Sequence, residues 1–244
     1  MRNLMMVVQY DGTDFAGWQI QPGKATIQGL LTECLTRIEG QHVCVHGSGR
    51  TDAGVHALGQ VANFRMNKLI EVDTLRLALN ANLPPTIRVI RLAEVDASFQ
   101  ARGSARTKTY RYQVYQGVVL SPFIHRYVWH APFPIDVPRM QQAAPSIEGE
   151  HDFGSFSTGS SRQGIAIREI YTAEFQSDAE LLIFTITGNG FLRYMVRRLM
   201  SGLYAIGRGR LSLETFADLL ARPRENNLVP PLPAKGLTLV KVDY

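Results

Sequence analysis

Apolar residues run from Leu4 to Tyr10 and stop at Asp11-Gly12, which predicts a strand ended by a turn. After an irregular stretch, Ile27, Leu30, Leu31, Cys34, Leu35 and Ile38 recur at i, i+3, i+4, i+7, i+8 and i+11, the apolar stripe of one helix. Thr26 is placed to cap that helix and Gly40 to end it. His42 to His46 reads as a short strand, and Gln60 to Arg65 alternates like another. Asp73 is positioned to cap a second helix, which Pro84-Pro85 must stop. Thr86 to Val95 is again strand-like.

The pattern then begins anew. Lys108 to Tyr115 is a tyrosine-rich strand, Arg126 to His130 a short one, and Asp136 starts a helix to about Ile147. A polar loop is predicted over 148–164, then a hairpin of Ile167–Gln176 and Glu180–Thr187 about Ser177-Asp178. Leu192, Met195, Val196, Leu199, Leu203 and Ile206 mark a long helix, and Ser212 caps a shorter one that ends near Pro223. Leu237 to Val242 closes as a strand. The order strand, helix, strand, strand, helix, strand is that of the ferredoxin-like unit. It predicts an α+β chain of two such units with antiparallel sheets, residues 1–104 and 105–244, the closing strand falling in the second.

Composition narrows this little. Hydrophobic residues make up 45% and charged residues 19% of 244, an ordinary globular balance. Lys and Arg exceed Asp and Glu by 26 to 21, and the pI is about 9.4, which suits a polyanionic partner without demanding one. Cys34 and Cys44 form no C-x-x-C pair, so a zinc ribbon or thioredoxin-type site is excluded and a reducing, cytoplasmic setting is expected. No apolar run approaches the ~18 residues of a membrane span.

Three stretches carry candidate chemistry. Gly47 to His56 sets Arg50, Asp52 and His56 on a glycine-rich backbone that fits no phosphate-loop pattern. It reads as a catalytic aspartate beside an arginine, as a metal site of His46, Asp52 and His56, or as a tight turn with a capping aspartate. Lys108 to Tyr112 puts two tyrosines on one strand face with basic neighbours, suited to stacking an unpaired base or to an ordinary half-buried strand. Gly188 to Arg198 opens the long helix. There Arg193 and Arg198 suit a solvated basic face, while Arg197 adjoins the apolar stripe and calls for a carboxylate. His42, His125, His130 and His151 stand singly, as structural histidines do, and Trp18 reads as a core anchor.

These stretches occur together with Tyr-Asp-Gly-Thr-Asp-Phe-Ala-Gly-Trp-Gln from Tyr10, Gly49 to Ala57 around Arg-Thr-Asp-Ala-Gly-Val-His, Phe191 to Arg197, and a closing Pro-Ala-Lys-Gly-Leu-Thr-Leu. In that order, from about residue 4 to 244, the chain resembles the TruA family of tRNA pseudouridine synthases. The resemblance implies isomerisation of uridine to pseudouridine at positions 38, 39 and 40 of the tRNA anticodon stem-loop. It also implies a homodimer that needs no cofactor or metal, with one tRNA touching both subunits. By matching motif, Asp52 takes the catalytic position, Arg50 the place of an arginine linked to base flipping, Tyr110 that of the ring stacked on the target uracil, and Arg197 that of the aspartate's partner. Asp52 and Arg197 are then expected to meet in a catalytic cleft between the units. Ile20 stands where the family often has arginine, which touches an RNA contact rather than the chemistry. A non-catalytic RNA-binding module and a metal-dependent nuclease using His46, Asp52 and His56 are the alternatives from other classes.

Overall fold

The computed structural model describes residues 1–158, 166–225 and 228–244, and these form a mixed α+β structure whose strands pair mostly antiparallel. Part of the polar loop predicted over 148–164 lies outside the described residues. The chain divides into two compact units, Met1–Arg106 with Thr238–Tyr244, and Thr107–Leu237.

The first unit runs β1 (Arg2–Tyr10), α1 (Ile27–Glu39), β2 (Val45–Gly47), β3 (His56–Met66), α2 (Val72–Asn82) and β4 (Ile87–Val95). β1 lies between β3 and β4, antiparallel to both, and β2 is antiparallel to β3. Leu4, Met6, Val8 and Tyr10 alternate into the core from β1, as a strand with one covered face requires. α1 buries Ile27, Leu31, Cys34 and Leu35, the predicted stripe. The Thr26 side chain accepts from Gly29 N, a cap worth about 1 kcal/mol. Gly40 ends the helix at φ 82°, where a side chain would be strained.

α2 differs from its predicted start. Its cap is Glu71, whose longer carboxylate accepts from Thr74 N at 2.8 Å, while Asp73 sits in the first turn and pairs with Arg76 at 3.1 Å. The helix ends at Asn82, with Leu83 extended before Pro84.

The second unit holds β5 (Thr107–Tyr115), β6 (Trp129–His130), α3 (Val137–Ala143), β7 (Gly149–Asp152), β8 (Ile167–Asp178), β9 (Leu181–Gly188), α4 (Met195–Gly207) and α5 (Leu213–Ala221). β9 lies between β5 and β8, β7 pairs with β8, and β6 runs parallel to β5. β7 replaces part of the predicted loop: Gly-Glu-His-Asp has no apolar alternation, and pairing with β8 alone makes it a strand. β10 (Leu237–Asp243) then returns to the first unit, where Thr238 and Leu239 pair in parallel with His56 and Ala57 of β3. Chain order placed this strand with the second unit. Pairing between strands this far apart in sequence leaves no local signal.

Candidate functional site

The Asp52 loop is built by the segment that follows β1. Gly17, at φ 93°, and Gly12 press against the loop backbone. A Cβ on Gly12 would lie 2.0 Å from Val55 O, and one on Gly17 2.6 Å from Thr51 O. Only glycine permits such an approach. Trp18 N donates to Thr51 O at 3.1 Å, and Val55 N donates to Asp52 O at 3.2 Å, closing a turn about Gly54 at φ 79°. The Trp18 ring, 1% exposed, occupies the space a side chain on Gly47 would need. Trp18 is therefore the anchor the sequence suggests, and what it anchors is the loop.

Beneath the loop lies a buried polar chain. Tyr10 and Thr51 share a hydroxyl hydrogen bond of 2.8 Å. Ser48 Oγ donates to Gln60 Oε1 at 2.8 Å, and Gln60 Nε2 donates to Gly49 O at 3.1 Å. Burial pushes the Tyr10 hydroxyl up to about 12, and its bonds to Thr51 and Gln60 only partly oppose this. These ties fix both sides of Asp52 while the residue itself stays half-buried. Sequence reasoning passed over Gln60, one of two amides, with Asn63, that the strand His56–Met66 buries.

Arg50 is exposed, and its Nε donates to Gln19 Oε1 at 3.1 Å, so the Gly-Trp-Gln segment also orients this side chain. Ile20 is 47% exposed beside it in sequence. The three proposed metal ligands are not gathered: His46 is exposed, and buried His56 has its Nδ1 3.2 Å from Asp11 Oδ1 and 3.1 Å from Gly12 N. Among the described residues no three His, Cys, Asp or Glu side chains are grouped to hold a metal ion.

In the second unit, Tyr110 and Tyr112 share one face of β5, opposite Ile186 and Phe184 of β9. The Tyr110 ring meets Phe191 edge-on, with centroids 5.0 Å apart. Tyr112 is fully buried, donates to Pro233 O at 2.8 Å, and is held well above the ordinary tyrosine range by desolvation, which the Arg197 charge only partly offsets. It is therefore a core residue, while Tyr110 keeps a 7% exposed edge.

α4 begins after a backbone reversal, Tyr194 standing at φ 64°, a strained value for a large side chain. The reversal stacks the Tyr194 ring under two guanidinium groups, Arg193 at 4.8 Å and Arg197 at 5.1 Å. Arg197 is half-buried as its place beside the apolar stripe predicts, and its Nε donates to Leu232 O at 2.6 Å. Leu232 N in turn donates to Arg197 O at 3.3 Å. The Leu232–Gly236 stretch thus braces both Arg197 and Tyr112, and a side chain on Gly236 would meet the Tyr112 ring at 2.7 Å. Arg193 is exposed as predicted. Arg198 is not: it is half-buried and its Nη1 reaches Ser155 O at 3.5 Å, because α4 turns that flank toward the protein.

A family model described as tRNA pseudouridine synthase matches residues 6–102 and 143–244. A protein of Solibacter usitatus named tRNA pseudouridine synthase A is 43% identical over all of both chains. The one so named from Brevibacillus brevis is 41% identical over all of both chains, and that of Halalkalibacterium halodurans 42% identical over 97% of this chain and 90% of its own.

Proposed function

The chain belongs to the tRNA pseudouridine synthase family and is an isomerase, and on that premise we propose that it acts on uridines 38, 39 and 40 of the anticodon stem-loop, with Asp52 as the catalytic residue. The observation that carries the assignment to Asp52 is the interlocked loop: Gly12, Gly17, Trp18 and a buried hydroxyl and amide chain hold the backbone on both sides of one half-buried carboxylate.

The reaction breaks the N1–C1′ bond, turns the uracil and rejoins it through C5. C5 gives up a proton and N1 gains one, so nothing is oxidised or hydrolysed. Asp52 serves this by attacking C1′ or by removing a sugar proton on the way to a glycal. The target base must first leave the stem, at a cost of a few kcal/mol. Arg50 assists that flipping, the Tyr110 ring stacks on the extruded uracil, and Arg197 pairs with Asp52 at the same nucleotide. Each unit is read as a variant of the ferredoxin-like βαββαβ arrangement. The working form is a cytoplasmic homodimer whose tRNA binding weakens as salt rises.

The test is to incubate the protein with an unmodified tRNA transcript and EDTA and to map pseudouridine by position. Product at 38, 39 and 40 is expected. No product, or product elsewhere, overturns the reading. Intact RNA bound without product marks a binding module, and cleavage that EDTA abolishes marks a nuclease.

A further inference from the structure

The second unit contains an open cavity of about 330 Å³ walled by Trp129, Tyr204, Arg208, Arg210, Pro230 and Leu232. Trp129 comes from β6, Tyr204 and Arg208 from the last turns of α4 and just beyond, and Leu232 from the stretch that braces Arg197. The Trp129 and Tyr204 rings meet edge to face, 4.6 Å between centroids, which fixes both. Both are half-exposed, unlike the core tryptophan Trp18. Arg208 is half-buried, with its guanidinium 4.9 Å from the Phe133 ring, and Arg210 is exposed. Among the described residues no carboxylate lines the cavity.

Two arginines at the end of a helix are partly explained by the helix itself, since cations suit a C-terminus. That account leaves the half-exposed aromatic pair beside them unexplained. A ring face next to a guanidinium is the pairing that recognises an unpaired base with its phosphate. The cavity also shares a wall with the site. Arg197, Ser201, Tyr204 and Arg208 follow one another at helical spacing on one face of α4, and Leu232 is hydrogen-bonded to Arg197 in both directions.

We propose that this cavity binds one unpaired nucleotide of the RNA substrate other than the uridine isomerised, its base against Trp129 and its phosphate at Arg208 and Arg210. The proposal rests on the reading of the protein as an RNA-modifying enzyme. It adds a second, non-reacting contact on the same helix face as Arg197.

Trp18 and Trp129 are the two tryptophans of the chain, and Trp18 is 1% exposed, so quenching of tryptophan emission reports on Trp129. The full-length protein is titrated with a uridylate pentanucleotide. Saturable quenching is expected. Trp129→Phe should abolish it with an unchanged circular dichroism spectrum, and Arg208→Gln with Arg210→Gln should weaken binding about tenfold by removing both phosphate contacts. The double variant should raise KM for tRNA and leave kcat within about twofold, a smaller change than loss of even one ordinary hydrogen bond. Absence of quenching overturns the proposal, as does quenching untouched by the double variant. An emission shift that depends on protein concentration without RNA also overturns it, by showing a second copy of the chain in the cavity. Quenching without pseudouridine formation from tRNA leaves the cavity assigned and defeats the proposed reaction. Pseudouridine formation without quenching defeats the cavity alone.

Discussion

Asp52 stands on a loop, whereas Tyr110 and Arg197 stand on a strand and a helix, and the two regions are made rigid in different ways. The loop has no ladder of its own. It is fixed by backbone atoms packed against Gly12 and Gly17, by the Trp18 ring over Gly47, and by the buried Tyr10–Thr51 and Ser48–Gln60 bonds. In the second unit, β5 and α4 supply the backbone, and only the side chains need bracing, by Phe191, Tyr194 and the Leu232 backbone. A loop held by close backbone approaches has little room to adjust, so small changes there should cost more than larger ones on regular elements.

The sharpest division comes from Asp52→Asn. It keeps the shape and removes both nucleophile and base, so pseudouridine formation should vanish. Affinity for tRNA, measured by filter binding, should stay within about tenfold, or ~1.4 kcal/mol. A variant that still turns over would shift the chemistry away from the loop.

Gly12→Ala tests the loop's frame without touching its carboxylate. Its Cβ would lie 2.0 Å from Val55 O, and backbone cannot swing aside as a side chain can. Activity should fall by about a hundredfold and stability by roughly 3 kcal/mol, the range of a severe single change. Denaturant unfolding and single-turnover rates measure the two. A silent substitution would mean that the loop is more pliant than the strand and helix, reversing the comparison.

In the second unit, Tyr110→Ala should cost ~30-fold in kcat/KM, within the range of a lost base stack, while Tyr110→Phe should keep nearly all of it. Equal losses would assign the work to the hydroxyl. Arg197→Lys preserves charge but cannot keep the Nε bond to Leu232 O, so about a tenfold fall in kcat with near-normal tRNA binding is expected. An unchanged kcat would show that charge alone suffices there.

The smallest effect at neutral pH belongs to Tyr10→Phe, and it grows on the alkaline side. Tyr10 ionises near 10 in the unfolded chain but only at about 12 when folded, because it is buried. The folded state holds the proton more tightly, so this contribution is complete below pH 10 and is lost as pH rises from 10 to 12. The loss is about 3 kcal/mol across that window. Thermal melts from pH 9 to 12 should therefore fall less steeply for Tyr10→Phe than for the parent.

Where signals were local, the sequence was readable. The stripe of α1 with Thr26 and Gly40 and the Asp136 and Ser212 caps stand where periodicity and capping chemistry put them. The hairpin of β8 and β9 forms as predicted, but it turns at Ala179-Glu180, Ala179 being at φ 49°, while Ser177 and Asp178 stay in β8. The misread cap is local: the Glu71 side chain is long enough to reach forward to Thr74 N, a reach that a preference for Asp at the cap overlooks. The other misreadings come from tertiary contact: Gly-Glu-His-Asp is a strand only through its partner, and Arg198 is half-buried by its neighbours rather than by its spacing. Among the candidate residues, Asp52, Arg50, Tyr110 and Arg197 stand in recognisable motifs, and so do the supports Gly12, Gly17 and Trp18. What the motifs do not tell is the partner each support meets, such as Val55 for Gly12 or Gly49 for Gln60.

The return of β10 to the first unit bears on how the protein is made. A ribosome releases Met1–Arg106 early, with β1, β3 and β4 able to pair, but the strand that flanks His56 and Ala57 follows the whole of Thr107–Leu237. Val240 O sits 2.5 Å from where a Cβ on Gly59 would be, and Tyr244 OH donates to Ala101 O at 2.7 Å. Until those contacts form, the strand leading out of the Asp52 loop lacks its parallel neighbour. The nascent first unit is thereby left with an unfinished sheet edge beside its most constrained loop until β10 emerges to close it.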